Sequence, residues 1–151
     1  SEEVQVNEII ESAVGLLQHD ARCSDVDFKL NLDTDLPLIP CVPDQLHQVL
    51  VNLLLNAVDA MKEVDDPEAV ITTELTDDKV RLTITDVGKG IKEENKSRIF
   101  EPFFTTKEVG TGTGLGLSVS HGIINKIGGS IDVESTYGEG TSFIIELPVS
   151  N

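Results

Sequence analysis

The chain has 151 residues, of which 39% are hydrophobic and 25% charged, a balance typical of a globular domain with one core. Its formal net charge of −16 argues against nucleic acid or an anionic membrane surface as a partner. No apolar stretch approaches the roughly 20 residues of a membrane span, and the acidic start has no apolar signal sequence, so we expect a cytoplasmic domain. Cys23 and Cys41 show no metal-binding spacing, and we expect two reduced thiols.

The first half of the chain predicts two strands and two helices. Residues 4–6 fit a short edge strand, and an apolar stripe after an N-cap at Asn7 predicts a helix that ends near His19. Alternation over residues 26–32 predicts a strand with one buried face. After a loop rich in proline, an apolar arc predicts a long helix over residues 44–61. That arc comprises Leu46, Val49, Leu50, Leu53, Leu54, Ala57 and Met61.

The second half predicts two hairpins separated by a glycine-rich stretch and a third helix. The predicted strands are residues 70–75, 79–86, 130–135 and 141–147. Residues 87–112 lack a regular pattern, and the helix after them runs over residues 114–127, where Gly128 and Gly129 end it. The order predicts an α+β fold with two layers, a mixed and largely antiparallel sheet with helices on one face, formed by residues 1–151 as a single domain.

The long helix carries a polar stripe opposite its apolar arc. Asn52, Asn56 and Asp59 lie within about 60° of one another on a helical projection. An amide oxygen from Asn56 suits Mg²⁺, a hard cation that is often shared with substrate phosphates. Taken alone, the stripe fits an ordinary polar helix face better.

A carboxylate and two glycines follow the predicted strand over residues 79–86. In the sequence Asp86-Val-Gly88-Lys-Gly90-Ile91, the carboxylate would accept a hydrogen bond from the exocyclic amine of adenine. The glycines would let a flat ring approach the backbone. A simple turn at the end of a strand explains the same residues.

An aromatic and proline-rich run precedes a loop with alternate glycines. Phe100, Pro102, Phe103 and Phe104 fit either a hydrophobic plug on the core or an anchored hinge for a mobile lid over a nucleotide. The glycines of residues 110–116 would bring backbone N–H groups onto a phosphate at the start of a helix. The basic residues cluster nearby, which favours the phosphate interpretation over a solvated face: Lys89, Lys92, Lys96, Arg98 and Lys107.

In this order and spacing, the motifs resemble those of the catalytic, ATP-binding domain of sensor histidine kinases. That domain belongs to a superfamily shared with type II topoisomerases and mismatch-repair ATPases. Residues 52–60 resemble the N box, residues 86–91, 112–118 and 138–141 the glycine boxes, and residues 100–106 the F box. The resemblance covers nearly the whole chain and implies a Bergerat-type fold with ATP under a flexible lid. Among sensor kinases, the nitrogen-regulation type is most similar.

The resemblance also implies roles for individual residues. Asn56 would coordinate Mg²⁺ with Asn52 beside it, and Lys107 would be a cation of the lid, which gives these three residues catalytic roles. The implied contacts to ATP are Asn56, Asp59, Asp86, Gly88, Gly90, Ile91, Phe100, Thr105, Thr106, Gly112, Thr113, Gly114, Leu115, Gly116, Leu117 and Thr141.

One position separates kinases from ATPases within the superfamily. Members that hydrolyse ATP carry a Glu base one helical turn before the metal-binding Asn, and here that position is Asn52. An amide cannot take a proton from water at neutral pH. The expected function is therefore transfer of the γ-phosphoryl group of ATP to a histidine of another domain.

The implied partners are a separate helical dimerisation domain that carries the acceptor histidine and a downstream response regulator, with no direct contact to nucleic acid or membrane. The sequence around His19 resembles the acceptor motif but lacks its Pro, so we expect the chain to be a domain excised from a longer kinase. The alternatives are an ATPase of the same fold, a serine kinase of the anti-sigma-factor type and a pure interaction module.

Overall fold

The computed structural model describes residues 1–105 and 116–150. In chain order its elements are β1 (Glu2–Val4), α1 (Val6–Leu17), β2 (Asp27–Asn31), β3 (Ile39–Cys41), α2 (Pro43–Ala60), β4 (Glu68–Thr76), β5 (Lys79–Asp86), α3 (Gly116–Ile127), β6 (Ser130–Thr136) and β7 (Gly140–Pro148), with short 3₁₀ helices at Ala21–Cys23 and Glu93–Arg98. In these described parts of the chain, none of the helices combines the length and the hydropathy that a bilayer span requires.

Five strands form one mixed sheet in the order β2-β4-β5-β7-β6. β2 runs parallel to β4, and the other neighbouring pairs are antiparallel, which confirms the predicted sheet. β1 pairs instead with β3 in a small separate ladder, where Glu3 lies opposite Pro40. The sequence predicted a loop around Pro40, because proline cannot donate to a ladder and occurs in strands mainly at edges.

The helices cover one face of this sheet. The central strands bury every second side chain, and the buried positions align across them, as in the cross-strand pairs of Ile84 with Phe143 and of Leu82 with Ile145. α2 packs against α1, α3 and the strands β4 and β5, and its predicted apolar arc is buried in full. The alternate side chains of β5 and β7 on the opposite face are only half-buried, so none of the helices within residues 1–105 and 116–150 covers that face.

The turns and helix ends follow from local sequence. Asp77 and Asp78 adopt positive φ angles of 52° and 61° in the predicted hairpin turn, and Gly128 ends α3 with a φ of 89°. Both cysteines are buried free thiols, and burial raises the pKa of each.

Two further local predictions need correction. β2 lies at the edge of the sheet with a single neighbour, and its predicted apolar face is only partly buried: Phe28 is half-buried against the core, whereas Leu30 is 37% exposed. The N-cap of α1 is Gln5 rather than Asn7. The Asn7 amide nitrogen donates to the Asp33 carbonyl at 2.7 Å, and its oxygen accepts from the Thr73 hydroxyl at 3.0 Å, so tertiary contacts use this side chain.

Candidate functional site

A cleft of about 1270 Å³ lies between α2, the loop that follows β5 and the start of α3. This volume is above the usual range of about 300–1000 Å³ for a small-molecule site and is large enough for a nucleotide. Its lining includes most of the predicted contact residues that the structure describes: Asn52, Asn56, Asp59, Asp86, Gly90, Ile91, Thr105, Gly116, Leu117 and Thr141.

Asp86 reaches the cleft because it is the last residue of β5 on the buried face of the sheet. It lies opposite Ala69 on β4 and Thr141 on β7. The pair of Asp86 and Thr141 is the polar end of a row of apolar cross-strand pairs between β5 and β7. The Asp86 side chain is only 4% exposed. The Gly88 N–H donates to Asp86 Oδ1 at 2.8 Å, and this bond fixes the direction of the carboxylate.

Burial governs the electrostatics of Asp86. Desolvation raises the pKa of this carboxyl, and hydrogen bonds from the backbone N–H groups of Gly88 and Thr141 oppose the rise. An ionised carboxylate accepts hydrogen bonds and donates none. At this end, therefore, the cleft suits a ligand that presents an N–H group.

The glycines after Asp86 hold their loop between two other elements. A Cβ on Gly88 would lie 2.5 Å from the Ala60 carbonyl oxygen, and the adjacent Lys89 N–H donates to that oxygen at 3.0 Å. Gly90 has a φ of 74°, and a Cβ there would meet the carbonyl oxygen of Thr136. Gly88 itself lies outside the lining of the cleft, so its small size serves the contact with α2.

α2 presents its polar stripe to the cleft. The Asn52 side-chain nitrogen lies 3.4 Å from the Gly116 carbonyl oxygen and 3.5 Å from Ser120 Oγ, which joins α2 to the first turn of α3. One turn further along α2, Asn56 lines the cleft and is half-buried. In residues 1–105 and 116–150, no three His, Cys, Asp or Glu side chains group as metal ligands. Here, Asn56 offers an amide oxygen that could bind a metal together with oxygens of a ligand.

Phe100 is half-buried against the core and is not part of the lining of the cleft. Its ring stacks on His121 with centroids 5.0 Å apart and meets Phe143 edge-on at 6.3 Å. Phe103 is 72% exposed, and the Arg98 guanidinium lies 4.6 Å from the centre of the Phe104 ring. Phe100 thus fits the predicted core plug, and the contact with ATP that the resemblance implies has no counterpart in the lining.

The remaining predicted contacts lie outside the described residues. They are Thr106, Lys107, Gly112, Thr113, Gly114 and Leu115.

The cleft also includes residues that the motifs did not single out. Tyr137 and Lys62 are among them, and Lys62 follows the end of α2, where its Nζ lies 4.0 Å from Asp59 Oδ1. Lys92 Nζ lies 5.2 Å from the centre of the Tyr137 ring. Lys89 and Lys92 belong to the basic cluster that the sequence predicted near a phosphate, and both line the cleft. Because residues three apart on a helix are neighbours, the position of Lys62 three residues after Asp59 could have indicated from the sequence that the two side chains lie close together.

Comparison with known proteins agrees with this fold and site. Residues 41–151 match the sequence profile of a family described as "Histidine kinase-, DNA gyrase B-, and HSP90-like ATPase". The chain therefore belongs to this family, whose domain binds ATP.

Its relatives within the family are sensor histidine kinases. The chain is 44% identical over 149 residues to sporulation kinase E of Bacillus subtilis, covering 98% of this chain and 20% of that protein. It is 39% identical over 149 residues to the sensor histidine kinase ZraS of Escherichia coli O157:H7, covering 97% of this chain and 31% of that protein. The chain thus spans between a fifth and a third of the length of these relatives.

Solved structures give the same result. The nucleotide-free catalytic domain of the histidine kinase ThkA superposes with a TM-score of 0.85 at 36% identity, covering 99% of this chain and 98% of that chain. Full-length ShkA in complex with AMPPNP also gives a TM-score of 0.85, at 26% identity, covering 99% of this chain and 31% of that chain. The predicted fold class is thereby confirmed.

Proposed function

We propose that this domain binds Mg-ATP in the cleft and transfers the γ-phosphoryl group to a histidine of a separate helical dimerisation domain. The observation that carries the proposal is the convergence of Asp86, at the end of β5, and Asn56, on α2, at one cleft. The sensor kinases among the relatives support the same chemistry.

The buried end of the cleft would hold the base. The Asp86 carboxylate accepts from the exocyclic amine of adenine, and Gly90 and Ile91 lie along the same wall. Thr141, the strand partner of Asp86, adds a hydroxyl group at this end.

The polar stripe of α2 would face the phosphates. Asn56 would supply an amide oxygen to Mg²⁺, and phosphate oxygens and water would supply the rest, since this cation prefers oxygen donors and keeps part of its hydration shell. Lys89 and Lys92 line the same cleft. Their positive charges offset part of the repulsion between the phosphates of ATP and a protein with a net charge of −16. Lys107 and the glycine loop before α3 would complete the phosphate end.

Phosphoryl transfer is favoured over hydrolysis at this site. Asn52 occupies the position of a general base, but its side chain is an amide that contacts Gly116 and Ser120. An amide does not accept a proton from water at neutral pH, so bound ATP persists until an acceptor nucleophile arrives. The rate then depends on positioning and on Mg²⁺.

The proposal extends to the partners of the domain. We assign residues 1–151 to one catalytic domain of a longer cytoplasmic or membrane-anchored kinase, which acts in the cytoplasm where ATP is available. Its acceptor histidine would lie in the dimerisation domain, and a response regulator would receive the phosphoryl group afterwards. The similarity to nitrogen-regulation kinases stays a prediction.

Incubation with radiolabelled Mg-ATP and the acceptor-helix fragment of the parent kinase tests the proposal. We expect acid-labile phosphohistidine on the fragment and no label with the Asp86→Asn variant. Acid-stable phosphoserine on a partner would indicate the anti-sigma type of kinase. Steady ATP turnover by the isolated domain that is lost in Asn52→Ala would indicate an ATPase, and bound ATP without label on the fragment would refute the kinase activity.

A further inference from the structure

A hydrogen-bonded cluster behind the base end of the cleft centres on Ser135 of β6. The Ile91 N–H donates to Ser135 Oγ at 2.8 Å, and Ser135 Oγ donates to the Gly140 carbonyl oxygen at 2.8 Å. A third contact joins Ser135 Oγ to Thr141 Oγ1, also at 2.8 Å. The Ser135 side chain thus joins the loop after β5, the β6–β7 turn and Thr141, the strand partner of Asp86.

Counting donors and acceptors fixes the direction of the third contact. A serine hydroxyl has one hydrogen to donate and two lone pairs to accept with. The Gly140 carbonyl can only accept, so it takes the Ser135 hydrogen, and the Ile91 N–H occupies one lone pair. The second lone pair remains for Thr141. Because two oxygens at 2.8 Å need a hydrogen between them, Thr141 is the donor of this bond.

The assignment determines what Thr141 offers to a ligand. Its single hydrogen points to Ser135, so only lone pairs of its hydroxyl are available toward the cleft, which Thr141 lines with 6% exposure. Asp86, its strand partner, is also an acceptor when ionised. The side chains of Asp86 and Thr141 therefore both accept, which suits the amine of a 6-aminopurine, and neither has a hydrogen for the carbonyl oxygen of a 6-oxopurine.

We propose that Ser135 is a positioning residue for base selection, which holds the Thr141 hydroxyl as an acceptor and so favours 6-aminopurine over 6-oxopurine nucleotides. This inference rests on the proposed binding of ATP. Without the Ser135 hydroxyl, the Thr141 O–H is free to turn toward the ligand and donate to the oxygen of a 6-oxopurine.

Calorimetric titration of the domain with Mg-ATP and with Mg-ITP measures the selection. ITP carries a 6-oxopurine in place of adenine, so the ratio of the two Kd values reports on the base end and not on the phosphates. Because Asp86 is the same in every Ser135 variant, a change in this ratio relative to the wild type reports on Thr141. We expect Ser135→Ala to lower the preference for ATP about tenfold. Ser135→Cys, which nearly preserves the volume but is a weak acceptor, should act in the same direction and replaces the alanine variant if that one does not fold.

Ser142→Ala is the matched control. Ser142 Oγ lies 2.8 Å from Thr85 Oγ1, so this variant removes the same kind of bond between the same two strands that carry Asp86 and Thr141, on the opposite face of the sheet. The ATP preference should be unchanged in it. An equal shift in Ser142→Ala would mean that general loosening of the sheet is responsible, which overturns the role of Ser135.

A double-mutant cycle completes the test. Once Thr141→Val has removed the hydroxyl, Ser135→Ala should change the preference no further, and an additive change would contradict action through Thr141. A Ser135→Ala variant with the wild-type preference would refute the inference but not the proposed function. Failure of the wild-type domain to bind ATP would instead refute the proposed function itself.

Discussion

Asp86 is unusual among the acidic residues of this chain because it is buried at the end of a strand. The chain has 27 Asp and Glu residues, and Asp86 is 4% exposed. Two backbone N–H groups lower its pKa, but desolvation has the larger effect and raises it. Such a group costs folding stability, and the cost is understandable if the carboxylate recognises a ligand.

Asp86→Asn should therefore separate binding from stability. The amide keeps an acceptor for the Gly88 N–H but removes the buried charge, so we expect an unfolding temperature at pH 7 that is equal to or above that of the wild type. Binding of ATP should weaken at least tenfold, because one acceptor for the adenine amine becomes a donor. Thermal unfolding and calorimetric titration measure the two effects. Full ATP affinity in the variant would contradict the site.

The pH dependence of stability has a defined sign at this residue. Because the folded-state pKa of Asp86 is raised, protonation favours the folded state, and the cost of ionisation appears as the pH rises above the ordinary aspartate value of about 3.9. The advantage of Asp86→Asn over the wild type in unfolding free energy should be small below that pH and largest near neutrality. Denaturant unfolding of both proteins at each pH gives the difference in their unfolding free energies. The other carboxylates titrate in both proteins, so their contribution drops out of this difference. An advantage that shrinks with rising pH would contradict the assignment.

Asn56 supplies a second prediction at this scale. Asn56→Ala should lose most of the increase in ATP affinity that Mg²⁺ gives, because the amide oxygen is the protein ligand we assign to the metal. Affinity for ATP in EDTA should change little, and this provides the internal control. Titrations with and without Mg²⁺ measure both values, and a variant with the full Mg²⁺ effect would refute the ligand role.

At the scale of elements, the end of α2 and the loop after β5 act as one unit. They touch where Gly88 lies against the Ala60 carbonyl oxygen, and the Gly138 N–H of the β6–β7 turn donates to the Lys89 carbonyl at 2.6 Å. Three elements from distant parts of the chain thus hold the loop that forms one wall of the cleft.

Gly88→Ala tests this packing. Its Cβ would lie 2.5 Å from the Ala60 oxygen, so the loop must move away from α2. We expect a loss of about 1–3 kcal/mol in unfolding free energy, together with weaker ATP binding. Gly122→Ala is the matched control, since nothing lies within 4 Å of a Cβ at that helical position. It should stabilise the domain by about 0.5–1 kcal/mol. Equal effects of the two substitutions in denaturant unfolding would contradict the argument.

At the scale of the whole molecule, charge is the dominant property. With a net charge of −16, the acidic side chains repel one another in the folded state, and the protein also repels free ATP. The ion pairs described compensate for little of this repulsion. Pairs such as Lys29 with Glu68, at 2.9 Å, are largely exposed and contribute little to folding stability.

Added salt should therefore stabilise the domain. We expect the unfolding temperature to rise as NaCl increases from about 10 mM to about 300 mM, because the Debye length falls from about 30 Å to less than 8 Å over this range. KCl should give the same rise, which distinguishes screening from binding of a particular cation. A falling unfolding temperature would show that favourable ion pairs outweigh the net repulsion.

Local sequence determined most elements and the identity of the binding motifs. The helical arc of α2, the Asp77-Asp78 turn and the polar stripe with Asn56 follow from periodicity and from backbone preferences, which act over a few residues and can be read directly. The glycine motif after Asp86 likewise follows from the requirement for close backbone approach.

Only the tertiary structure decided how those parts are used. Four features depend on neighbours far along the chain: the burial of Asp86, the edge position of β2, the packing of Phe100 against the core and the bonds of Ser135. Hydrogen-bond direction and desolvation arise from atoms brought together by the sheet register, so no local pattern could specify them.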